Sequence, residues 1–209
     1  MLTAMEALER LQEGNRRFAS GVRSLETLAS QARRQDLVEG QAPFAVILGC
    51  SDSRVPVEIV FDQGLGDLFV IRVAGNIVAP SHVGSVEFAA AEFGTRLVVV
   101  LGHSRCGAVT ATVEELRRPA ENQSPNLRSI VDRIRPSVET LMETDLKGGT
   151  DELIRQAVRA NVRASVDHLR HGSAILEDMI RTEGLLVVGA EYALETGAVD
   201  FFHGLSEGV

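Results

Sequence analysis

The chain has 209 residues, 44% hydrophobic and 24% charged, with a formal charge of −8, two cysteines and no tryptophan. These values fit one globular domain over 1–209, divided into an N-terminal helical arm at 1–40 and an α/β core at 41–209. The acidic balance disfavours broad contact with nucleic acid or an anionic membrane surface, no run of about eighteen apolar residues is present to span a bilayer, and the amino terminus has no secretory pattern, so a cytoplasmic location is expected.

Met5, Leu8, Leu11 and Phe18 recur at roughly helical spacing through Ala4 to Ala19, which predicts an amphipathic helix, ordinarily a cover for its own domain. After a polar stretch from Gln31 to Gln41, Phe44 to Leu48 reads as a buried strand closed by Gly49, and a second strand is expected over about Asp67 to Val73. A loop with Pro80 leads to a helix from about Gly84 to Phe93, and Leu97 to Leu101, closed by Gly102, forms the third strand. This alternation predicts an α/β fold with a central, mostly parallel β-sheet flanked by helices. Further along, Ala111 to Arg118 is helical, and Pro125 and Pro136 bracket another short helix. A turn at Lys147-Gly148-Gly149-Thr150 opens a long helix to about His168, and Leu185 to Gly189 is a fourth buried strand. Thr196-Gly197 then turns the chain into an antiparallel C-terminal edge strand ending near Phe202.

Both cysteines lie in two short clusters that follow apolar runs, Cys50-Ser51-Asp52-Ser53-Arg54 and His103-Ser104-Arg105-Cys106-Gly107. If the preceding strands are parallel neighbours, Cys50, His103 and Cys106 emerge at the same carboxyl edge of the sheet, where open α/β folds place ligands. Two thiolates and one imidazole suit Zn²⁺, one ion per chain, with a fourth position left for water or a carboxylate. The plainer reading is a pair of buried core cysteines beside an unrelated histidine. The adjoining Asp52 and Arg54 favour the metal site, because a guanidinium two residues away can hold the carboxylate in a fork at the same edge; the plainer reading of that pair is a surface salt bridge. His168 and His171 are read as partners of a helix carboxyl end rather than as metal ligands. His82 and His203 are of interest only as proton carriers near the cleft. Gly64-Leu65-Gly66-Asp67 precedes a strand and so is not a dinucleotide fingerprint.

At these residues the chain resembles the β-class carbonic anhydrases, whose zinc ligands lie in a Cys-x-Asp-x-Arg motif and a later His-x-x-Cys motif. The likeness runs from Gln41 through Phe69-Val70-Ile71-Arg72-Val73-Ala74-Gly75-Asn76 to Gly197-Ala198-Val199-Asp200-Phe201, and is weakest between Arg117 and Thr150. The resemblance implies reversible hydration of carbon dioxide to bicarbonate and a proton by attack of zinc-bound hydroxide. It gives Asp52 two exclusive states: held by Arg54 and facing the nucleophilic water, or released and occupying the fourth metal position. It also implies that Gln41 donates to bicarbonate, that Phe69 and Phe88 line the carbon dioxide pocket, and that the Gly107 amide approaches the bound anion. Read without the family, Gln41 faces solvent and the phenylalanines belong to the core.

Two positions depart from the family pattern. Phe88 stands where tyrosine is common, and Ile47 replaces the tryptophan with which another branch builds an inhibitory bicarbonate site, so that site is expected to be absent. Family clefts lie at a subunit interface, which implies a homodimer or an assembly of dimers with the first helix packed on a partner. The rival readings are a carbonyl sulfide or carbon disulfide hydrolase with the same ligands, and a non-catalytic zinc-stabilised binding protein permanently closed by Asp52. Intact Arg54 and Gln41 argue against the second.

Overall fold

The computed structural model describes residues 2–24, 31–119, 124–144 and 149–205. Five strands form one sheet in the order β2-β1-β3-β4-β5: β1 (Ala45–Cys50), β2 (Leu68–Val73), β3 (Leu97–His103) and β4 (Leu186–Tyr192) are parallel, and β5 (Val199–His203) runs antiparallel to β4 at the edge. Every residue of β1 and β3 is buried. Such strands are covered on both faces, which is why they read as continuous apolar runs rather than as alternation.

Strand periodicity divides these runs between two layers. Ala45, Ile47, Leu97, Val99 and Leu101 face helix α1 (Ala4–Ala19) and the short helix α3 (Val57–Val60). Val46, Leu48, Val98 and Val100 face α4 (Pro80–Glu92), α7 (Gly149–His171) and α8 (Ala174–Thr182). A third cluster lies beyond the carboxyl edge, where Cys50 and Cys106 meet Val109 and Val113 of α5 (Gly107–Arg117), Ile134 and Val138 of α6 (Pro125–Met142), and Ala157 and Val158 of α7.

The first helix covers its own domain: Ala7, Leu8 and Leu11 are buried in the core, whereas Leu2 and Met5 remain exposed. Thr3 and Glu6 close its start with a capping box. Buried Asn15 ties it to the rest of the fold, donating to the Val60 and Gly197 carbonyls at 3.1 and 2.9 Å and accepting from Val199 N–H at 2.8 Å.

Several boundaries differ from the sequence-based expectation. Gly49 and Gly102 do not end their strands; β1 and β3 continue into Cys50 and His103. Gly102 instead admits α7, since a Cβ there would lie 2.6 Å from Val162 Cγ2. Helix α4 starts at Pro80, a favoured first-turn residue, rather than at Gly84, and α5 starts at Gly107 rather than at Ala111. Pro136 lies inside α6 instead of ending it. Its missing N–H costs one helical bond, but buried Val131, Ile134 and Val138 hold the helix on the core across that position. Helices α2 (Gln31–Asp36) and α8 fall in stretches to which the sequence pattern assigns no element, and Lys147 and Gly148 of the expected turn lie outside the described residues. Among the described residues, no helix is long and apolar enough to cross a membrane.

Candidate metal centre

Cys50 is the last residue of β1, and His103 is the last residue of the neighbouring β3. The chain then turns through Ser104 and Arg105, the latter in the left-handed region at φ 55°, and Cys106 becomes the N-cap residue of α5. Strand adjacency and this two-residue turn bring donor atoms of Cys50, His103 and Cys106 within 4.8 Å of one another, and all three residues are buried.

The protonation pattern suits a cation. His103 Nδ1 lies 2.9 Å from the Ser104 carbonyl, so the ring donates there and leaves the Nε2 lone pair free. Nε2 is itself buried and has no hydrogen-bond partner, an expensive state for a core imidazole unless a metal takes it. The Cys50 thiol is drawn down to about 4, chiefly by its hydrogen bond with Cys106, with smaller help from the N–H groups of Gly75 and Asp52. The Cys106 thiol is pushed far up by Cys50 and by burial. Two sulfurs this close share one proton; a divalent cation in its place lets both be thiolates. The donor set therefore fits zinc.

A second layer holds the ligands. Gly75 donates its N–H to Cys50 Sγ at 3.3 Å from a left-handed backbone with φ 71°, and a Cβ there would come within 2.7 Å of Ile134 Cδ1. The Gly75 carbonyl accepts from Asn161 Nδ2 at 2.7 Å, and Arg72 donates to the Cys50 and Asp52 carbonyls at 3.0 and 2.6 Å.

Asp52 is held by Arg54 in a two-pronged fork, Nε to Oδ1 at 2.9 Å and Nη2 to Oδ2 at 2.8 Å, and the Arg54 N–H adds a third bond to Oδ1 at 2.9 Å. These bonds hold its carboxyl well below the usual carboxylate range, against the opposing effect of burial. Oδ2 lies 3.9 Å from His103 Nε2, so Asp52 borders the donor cluster while remaining engaged with Arg54.

The other expected site residues divide. Gly107 directly follows Cys106 at the start of α5, and a Cβ on it would meet nothing within 4 Å. Gln41 is exposed before the start of β1, at the amino edge, and the strand separates it from Cys50 by about 17 Å. Phe69 pairs in register with Val46, about 13 Å back from the level of Cys50. Phe88, 51% exposed, packs with Phe69 and Phe93 in an aromatic group beside edge strand β2. Within one chain, then, these three stand away from the ligands. Ile47 is fully buried in the core. His82 Nδ1 is occupied as an acceptor for Ala79 N–H at 3.1 Å, and His203 sits beside Gly189, well behind the edge.

Sequence reading assigned no role to Gly75, Arg72, Asn161 or Ser104. The only available signal was the glycine following the second strand, which lies in the stretch that carries the likeness.

Comparison with known proteins agrees with this geometry. A family model described as carbonic anhydrase matches residues 45–199. Carbonic anhydrase 2 of Mycobacterium tuberculosis is 39% identical over 195 residues, covering 91% of this chain and 89% of that protein. Among solved structures, the β-carbonic anhydrase CcaA is 25% identical with a TM-score of 0.73 over 97% of this chain and 94% of its own. The β-carbonic anhydrase of Coccomyxa, solved with acetazolamide, is 26% identical with a TM-score of 0.72 over 93% and 86%.

Proposed function

The chain belongs to the β-class carbonic anhydrases, and from that premise we propose that it reversibly hydrates carbon dioxide to bicarbonate and a proton at one zinc ion per chain, held by Cys50, His103 and Cys106. The observation that carries the reading is the buried Cys-His-Cys cluster with an unpartnered imidazole nitrogen. When bound, zinc supplies the Lewis acidity that turns a water into a nucleophile for carbon dioxide at working pH.

The protein's own groups do the rest. Asp52, fixed by Arg54 at the border of the cluster, accepts a hydrogen bond from the nucleophilic water and aims it. Its increased acidity makes it an orienting group rather than a store for the released proton, which passes to buffer. The same fork keeps the carboxylate out of the fourth metal position. The Gly107 N–H, in the first turn of α5 where it has no acceptor within the helix, donates to a bicarbonate oxygen.

Gln41, Phe69 and Phe88 are too distant to serve the metal of their own chain, so the proposed cleft takes them from a second copy. The amide of Gln41 donates to bicarbonate, and the two rings form an apolar wall for carbon dioxide. This requires a homodimer or an assembly of dimers with clefts at the interface. The carbonyl sulfide or carbon disulfide hydrolase and the non-catalytic zinc protein gain no support from these relatives, which carry carbonic anhydrase names.

The deciding experiment is zinc content and carbon dioxide hydration measured on one preparation across pH. Zinc near one per chain with hydration activity is expected. Zinc binding without hydration, or hydration unaffected by zinc removal, overturns the reading.

A further inference from the structure

Glu195 lies in the β4–β5 hairpin, outside both ligand motifs. Its carboxylate accepts from two consecutive residues: Ser104 Oγ at 3.0 Å through Oε2 and Arg105 Nε at 2.9 Å through Oε1. These two residues are the whole turn between His103 and Cys106.

Each leads into the site by a separate route. Ser104 accepts Leu194 N–H on its hydroxyl at 3.0 Å, donates its own N–H to the Tyr192 carbonyl at 2.9 Å, and presents its carbonyl to His103 Nδ1 at 2.9 Å. Arg105 adopts a left-handed backbone that costs a residue with a Cβ free energy and so needs outside support. Its carbonyl accepts from Arg54 Nη2 at 3.4 Å, on the same guanidinium that holds Asp52.

We propose that Glu195 is a positioning residue that clamps the Ser104-Arg105 turn to the β4–β5 hairpin, thereby fixing the ring orientation of His103 and the seat of Arg54. The inference rests on the ligand assignment made above. A ligating histidine is oriented by the group that receives its other ring N–H, and here that group is a carbonyl on a two-residue turn, only as rigid as the turn itself. Glu195 is ionised throughout the working range, because its own backbone N–H, Ser104 and Arg105 all hold its carboxyl below the ordinary value.

The competing account is an ordinary surface ion pair, since the side chains of Arg105 and Glu195 are 76% and 49% exposed. Pairs that exposed contribute little to folding stability. The two accounts therefore separate: a clamp alters the metal centre while leaving the stability of the apoprotein nearly untouched.

The test compares the parent with Glu195→Ala, Glu195→Gln and Ser104→Ala. The readouts are zinc release to a chromogenic chelator, the visible spectrum of the cobalt-substituted protein, and the unfolding midpoint of the metal-free protein. Glu195→Ala and Ser104→Ala are expected to release zinc roughly tenfold faster and to alter the cobalt bands. The metal-free midpoint should move by no more than about 3 °C. Glu195→Gln keeps an acceptor for Ser104 and should stay nearer the parent. Parental release and spectrum in Glu195→Ala overturn the proposal, as does a fall in the metal-free midpoint large enough to account for the faster release. If the parent takes up no metal, or Cys106→Ala takes it up equally well, the ligand assignment itself fails and this inference falls with it.

Discussion

Asn161, in the middle of α7, donates its side-chain amide to the carbonyl of Gly75 at 2.7 Å, and the N–H of that glycine points at Cys50 Sγ. A residue remote in sequence thus holds the glycine whose N–H faces the Cys50 sulfur. Asn161 is 2% exposed, so its loss strands a buried carbonyl. Asn161→Ala should destabilise the fold by about 1–3 kcal/mol, read as a lowered denaturant midpoint. An unchanged midpoint would mean that the Gly75 turn holds itself.

Cys106→Ala should lose zinc and hydration activity together while remaining folded, because removing one buried sulfur leaves only a small gap beside Val109 and Ile134. Metal analysis with circular dichroism checks both halves. A variant that keeps full zinc occupancy removes Cys106 from the ligand set.

Arg54→Ala should keep its zinc yet be poorly active even at alkaline pH, since the freed Asp52 carboxylate can then take the fourth metal position. In the parent, activity should fall from alkaline to mildly acidic pH. The sign of the Asp52 shift excludes that carboxylate as the cause: its acidity is increased by Arg54, so it stays ionised well below this range, and the loss reports protonation of the nucleophilic hydroxide to water. A parental pH–rate profile in Arg54→Ala, with undiminished hydration, would contradict the role of the fork.

Gln41→Ala should lower activity and leave zinc content intact. Because Gln41 and Cys50 lie at opposite ends of β1, subunit exchange provides a sharper test. Mixing Gln41→Ala with Cys106→Ala should yield mixed dimers with one complete cleft, and activity above the sum of the two variants. No gain under conditions where exchange is shown by mass spectrometry would place Gln41 outside the cleft.

Leu11 is fully buried under α1. Leu11→Ala should therefore cost about 2–5 kcal/mol, and removing residues 1 to 20 should unfold the domain rather than simply separate subunits. Thermal unfolding at several protein concentrations distinguishes the two effects, since dissociation depends on concentration and loss of an internal helix does not.

The parts of this fold legible in the sequence are those governed by short-range chemistry. Continuous apolar runs announce β1 and β3, and the soft donors after them announce the centre. Boundaries decided by packing are less visible. Gly102 looks like a strand terminator but is a contact point for Val162, and Pro136 looks like a helix stop but lies between Ile134 and Val138, which keep α6 on the core. Glu195 carries no signal at all, because its partners on the turn after β3 become neighbours only when β4 pairs with β3. Gln41, Phe69 and Phe88 are recognisable by family likeness, yet that likeness does not show that they stand away from the donor cluster of their own chain, which the start of β1 and the β1–β2 register do.

Cys50 and His103 end adjacent parallel strands, and such strands lie roughly 4.8 Å apart. Because Gly49 is level with Leu101, Cys50 ends one residue short of His103, and the bite between these two donors is set by that one-residue stagger together with the strand spacing. Exchanges among valine, isoleucine and leucine within β1 or β3 change stability without changing that bite, whereas one inserted residue turns the terminal side chain to the other face. A graft of this centre onto another parallel sheet therefore has to carry the same stagger and, with it, the Gly75, Arg72 and Ser104 contacts that hold the three donors.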